Sequence, residues 1–111
     1  MTESKCDDRA LIDVELERVR GDIDRIDAEI LALLSKRARH IVTVVGLKAL
    51  DRRPLRDAGR EERILNRVAE QNQGPFPPDS IRRVFRALID ASFDLEERLI
   101  QAAGRTEPPT R

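Results

Sequence analysis

The stretch Asp13–Leu50, DVELERVRGDIDRIDAEILALLSKRARHIVTVVGLKAL, decides the fold. Within it Leu16, Val19, Ile23, Ile26, Ile30, Leu33, Leu34, Ile41, Val44 and Val45 recur at three- and four-residue steps, the spacing that lines one face of an α-helix. Gly21 and Gly46 sit singly inside the period, and no proline interrupts it. A helix over these residues is roughly 55 Å long. A compact monomer of this size is only about 30 Å across. The apolar face therefore outruns any core its own chain can build, and a second subunit is the expected missing wall.

Outward from this helix, breaks gather at Arg52–Pro54, Gln73–Pro78 and Gly104–Pro109. Between them a second helix is predicted from an Asp57 N-cap to about Gln71, with a short apolar face of Ile64, Leu65 and Val68. A third runs from Pro78-Asp79-Ser80 to about Ala103 along Ile81, Val84, Phe85, Leu88, Ile89, Leu95 and Leu99. No segment alternates as a strand does. The expected fold is all-α, a three-helix chain with one very long N-terminal helix. Residues 13–103 form its single domain, and 1–12 and 104–111 are read as disordered polar tails.

Composition narrows the function. The chain has 111 residues with 21 Lys+Arg against 21 Asp+Glu. This zero balance argues against nucleic acid or an anionic membrane as partner, both of which call for a basic surplus. Three Phe with no Trp or Tyr leave nothing on which to stack single-stranded bases. One cysteine, Cys6, and one histidine, His40, do not make a zinc site by themselves, so no metal or cofactor is expected. No apolar run approaches the ~18 residues of a membrane span, and Met1–Ala10 lacks the hydrophobic stretch of a signal peptide. A cytoplasmic protein is expected.

Charges fall where the apolar stripe should be. Counting about 100° per residue from Ile30, Arg37 lies near −20° and Lys48 near 0°, in the middle of the stripe, with Arg20 on its shoulder near +80°. On the second helix Asp57, Arg60 and Glu61 all count as inward. On the third, Ser92 lies inside the stripe and Glu96 at its edge. Buried unpaired cations cost several kcal/mol each, so two readings are open. One is an internal network joining Arg37 and Lys48 to Asp57 and Glu61. The other is a cavity for a small polyanion, a dicarboxylate or phosphate, held by Arg forks and a mobile Lys. No glycine-rich phosphate loop and no Ser/His/Asp set is present.

The ordered set Val19-Arg20-x-x-Ile23-Asp24-x-x-Asp27, Leu33-Leu34-Ser35-Lys36-Arg37, Val45-Gly46-x-Lys48 and Arg53-Pro54-Leu55-Arg56-Asp57-x-x-Arg60-Glu61 closely resembles the all-helical (type II) chorismate mutases. The likeness covers roughly Leu16 to Leu99. The segment from Asn72-Gln73-Gly74-Pro75-Phe76 through Ser80-Ile81-Arg82-Arg83-Val84-Phe85 looks most like mutase domains fused to prephenate dehydratase or to the first enzyme of the shikimate pathway. The resemblance implies an intertwined homodimeric helical bundle. It also implies the Claisen rearrangement of chorismate to prephenate in phenylalanine and tyrosine biosynthesis, without cofactor or covalent intermediate.

Carried over by position, the resemblance has Arg37 and Arg20 clamp the two carboxylates, Arg20 reaching in from the other subunit. Lys48 would sit at the ether oxygen and a carboxylate. Glu61 would accept from the ring hydroxyl, helped by the backbone at Asp57, with Arg60 supporting the carboxylate side and Ser92 contacting the ring carboxylate. Glu96 would be the second donor to the ether oxygen. A carboxyl group donates only when protonated, so activity is expected to fall as pH rises. Rivals on the same fold are an isochorismate pyruvate-lyase and a mutase for 4-amino-4-deoxychorismate. A rival of another class is a non-catalytic helical dimer that senses prephenate or docks on a shikimate-pathway enzyme.

Overall fold

The computed structural model describes residues 2–106, and their side chains from Asp8 to Gly104. Three helices follow one another: α1 (Thr2–Asp51), α2 (Ala58–Gln71) and α3 (Pro78–Thr106). No strand occurs among the described residues, and no helix there is long and apolar enough to cross a membrane. The all-α, three-helix expectation is met. Helix α1 begins at Thr2 rather than near Asp13, so it continues through most of the segment read as a tail, and α3 runs on to Thr106. The Cys6 side chain and residues 107–111 lie outside the described residues. The chain divides into two compact units, Met1–Arg37 and Ala38–Arg111.

In the first unit α1 is an open helix. Its surface carries Arg18 between Glu15 (2.6 Å) and Asp22 (3.2 Å), with Arg25 also on Asp22. Such exposed (i, i+3) and (i, i+4) pairs, screened by solvent, add little to stability. The apolar residues of the stripe are uncovered in the single chain, with Ile23 49% and Ile30 48% exposed. The sequence reading has a second subunit cover this stripe, and the single chain leaves it open.

In the second unit the end of α1 is closed by the turn that follows it. Arg52 takes a left-handed conformation (φ 55°). Its N–H donates to the Ala49 carbonyl (3.4 Å), and that of Arg53 donates to Lys48 (3.0 Å). This pair of bonds is the Schellman arrangement, which usually places glycine where Arg52 stands. Pro54 then prevents the helix from resuming. An L-residue in this conformation carries steric strain. Arg52→Gly is therefore expected to raise the unfolding free energy by about 0.5–1 kcal/mol, after the extra freedom glycine gives the unfolded chain. A denaturant titration that shows lower stability would mean that Arg52 is not strained there.

Helix α2 starts as predicted. Asp57 is extended (φ −132°, ψ 94°) and its carboxylate accepts from the Arg60 N–H at 3.0 Å. The α2–α3 connection is held by Asn72, whose Nδ2 donates to the Phe76 carbonyl (2.7 Å) while its Oδ1 accepts from Gly74 N–H (3.1 Å). Gly74 has φ 81°, a region open to glycine. Pro78 opens α3, where a missing N–H costs nothing. Ile64 and Leu65 of α2 and Ile89 of α3 form the core, with Val68 and Phe85 packed against it.

Candidate active site

The last turn of α1, the turn after it, and the helices α2 and α3 of the second unit gather most of the charges singled out above. Lys48 is in the last turn of α1, its backbone carbonyl held by the Schellman bond. Its Nζ donates to the Leu55 carbonyl at 2.6 Å and lies 3.6 Å from Glu96 Oε1 on α3. The Lys48 side chain is 22% exposed and that of Glu96 8%. Glu96 is the buried charged residue among those described, and Lys48 faces it. An ammonium has three N–H donors, so Lys48 retains capacity for a further acceptor. Ser92 lies one turn before Glu96 on the same face of α3, half-buried, its hydroxyl donating to the Leu88 carbonyl at 2.8 Å.

Beside Lys48 opens a cavity of about 680 Å³, lined among others by Val44, Leu47, Arg53, Arg56 and Asp57. That volume is in the range of small-molecule sites, which run to about 300–1,000 Å³.

Glu61 stands in the first turn of α2, its side chain 15% exposed. It is paired with Arg56 (2.9 and 3.0 Å) and with Arg86 of α3 (2.9 Å). The hydrogen bonds from Arg56 hold its carboxyl down at about 2, against burial that raises it, with Arg86 assisting. The folded value lies below the free value of 4.5. The stabilisation is therefore complete above that pH and is lost as pH falls toward 2. In acid titrations followed by circular dichroism, Glu61→Gln is expected to flatten the stability loss between about pH 4.5 and 2. An unchanged acid limb would assign that loss to other carboxylates.

Several expectations change. Within the second unit the charges pair otherwise than in the network considered from the sequence: Lys48 with Glu96, Glu61 with Arg56 and Arg86, while Asp57 caps α2. Arg60 counted as inward but is exposed, because core contact on α2 begins a turn later at Ile64. In the first unit Arg37 is half-buried, and Arg20 is exposed with Glu17 at 3.2 Å. Sequence reasoning missed Arg56 and Arg86. Arg56 is in a turn, where helical angles say nothing, and Arg86 is off the α3 stripe. The one available signal was the (i, i+4) spacing of Arg86 and Asp90. Among the described residues no group of His, Cys, Asp and Glu could hold a metal ion.

A helical scaffold sets a lysine against a buried glutamate, beside a cavity whose lining carries Lys48, Arg53 and Arg56 together with Asp51 and Asp57, an arrangement in which the cations can take a small anionic ligand. The chain belongs to the chorismate mutase type II family, whose family model matches residues 19–97. It is 39% identical to a chorismate mutase structure from Thermus thermophilus, with a TM-score of 0.74 over 76% of this chain and 96% of that one. It is also similar to bifunctional chorismate mutase/prephenate dehydratases, 33% identical over 77% of the chain in Aquifex aeolicus and 39% over 72% in Neisseria gonorrhoeae. It spans 25% and 22% of the length of these two.

Proposed function

We propose that this chain is a chorismate mutase, rearranging chorismate to prephenate in the cytoplasm on the way to phenylalanine and tyrosine. The observation that carries the reading is the Lys48–Glu96 pair, 3.6 Å apart, with Lys48 lining a cavity that Arg53 and Arg56 also line, in a chain of this family. In the reaction the ether C–O bond breaks as a C–C bond forms, with no proton, electron or group exchanged with the protein. The protein's task is to hold a flexible dicarboxylate in its reactive diaxial form and to stabilise negative charge growing on the ether oxygen.

Lys48 meets that charge with an ammonium, and Glu96 is the second donor to it, a role that requires its carboxyl to carry a proton. Arg37 and Arg20 clamp the carboxylates, Arg60 supports them, and Ser92 contacts the ring carboxylate. Glu61 accepts from the ring hydroxyl beside the Asp57 backbone. The working unit is an intertwined homodimer of domains spanning residues 13–103, in which the open stripe of α1 is covered by the partner and Arg20 acts across subunits. The exposed apolar residues of α1 support this assembly.

The test is the purified chain with chorismate, following loss of chorismate absorbance and identifying prephenate as product. Turnover of isochorismate to pyruvate instead, or no turnover at all, overturns the reading. Glu96→Gln keeps the shape and supplies an amide donor at every pH. It is expected to retain substantial activity near neutrality and to flatten the fall of activity toward alkaline pH. A pH–rate profile identical to the wild type's would remove Glu96 from the reaction.

A further inference from the structure

The cluster around Glu61 does more than fill its surroundings with charge. Arg56 donates through Nε to Glu61 Oε2 and through Nη2 to Oε1, and Arg86 donates through Nη1 to Oε1. Arg56 Nη2 also donates to Asp90 Oδ1 at 3.0 Å, and Arg86 Nη1 lies 3.9 Å from the same oxygen. The Arg56 guanidinium sits over the Phe93 ring, 4.5 Å from its centre, which fixes the fork in place. Two guanidinium groups and two carboxylates sum to no net charge. A carboxylate offers about four acceptor positions. Here both on Oε1 and one on Oε2 are taken, which leaves one position on Oε2.

We propose that Arg56 and Arg86 are specificity-determining positioning residues, which neutralise Glu61 and leave it one acceptor position, enough for a neutral hydroxyl and unfavourable to an ammonium. The inference rests on the reading of Glu61 as the acceptor for chorismate's ring hydroxyl. A hydroxyl brings one donor and no charge. An ammonium in the same place brings three donors and a positive charge beside two guanidinium groups, and its desolvation is offset only by an uncompensated carboxylate. The two arginines are thus the repulsive element that selection between similar ligands requires. Glu61 itself stays ionised at neutral pH, so it accepts and does not donate.

The experiment compares kcat/KM on chorismate and on 4-amino-4-deoxychorismate, which carries an ammonium in place of the ring hydroxyl. The wild type is expected to prefer chorismate. In Arg56→Gln/Arg86→Gln the amino-to-chorismate ratio should rise by roughly tenfold or more, with a smaller rise in each single variant. Arg86→Lys, which keeps the charge, should hold the ratio near the wild-type value. A ratio unmoved within about twofold in a folded double variant, with both substrates slowed alike, would reduce the arginines to structural props. A wild type that turns over both substrates equally overturns the inference without any variant. A wild type inactive on both overturns the reading of the site and the inference with it.

Discussion

Lys48→Ala is expected to lower turnover on chorismate by ~10²–10³, the usual cost of losing one preorganised donor to a developing oxyanion. The ammonium sits at the end of α1 between the Leu55 carbonyl and Glu96. Charge on the ether oxygen is larger in the transition state than in the bound substrate, so the loss should fall on kcat and kcat/KM together. Deleting Lys48 also leaves Glu96 buried without its cation, so stability has to be measured alongside. Circular dichroism and sedimentation should show an intact helical dimer. A rise in KM with kcat unchanged would restrict Lys48 to substrate binding.

Mixing two dead chains is expected to restore activity. Arg20→Ala and Lys48→Ala homodimers should each be nearly inactive. Unfolded and refolded together in equal amounts, about half of the dimers are mixed, and each mixed dimer holds one intact site and one doubly damaged site. Roughly a quarter of wild-type activity should return. The expectation follows from Arg20 being exposed on its own chain, where it pairs with Glu17 one turn away, and from the uncovered apolar stripe around it. Absence of recovery, with mixed dimers demonstrated by mass spectrometry, would place Arg20 in its own chain's site or outside any site.

Much of this molecule was readable along the chain because helices are local objects. The period of the apolar residues, Asp57 as cap, Pro54 and Pro78 as punctuation and Gly74 in the connection fix where α2 and α3 begin and where α1 stops, and the structure agrees to within a few residues. The start of α1 was not readable. Residues 2–12 lack the apolar period, yet charged and small residues with no proline simply prolong a helix that is already nucleated. The anomaly of Lys48 and Glu61 was readable too, since an angle about one helix axis depends on that helix alone.

The partner of each charge was decided only by the tertiary structure. Lys48 and Glu96 are 48 positions apart, and their separation depends on how α3 returns past the end of α1. Glu61 found its cations in Arg56, from an irregular turn, and Arg86, from the flank of α3. Neither had an angle that marked it. Periodicity gives the direction of a side chain around its own helix, whereas an ion pair requires two groups within about 4 Å across helices. That distance is set by packing and not by either segment alone.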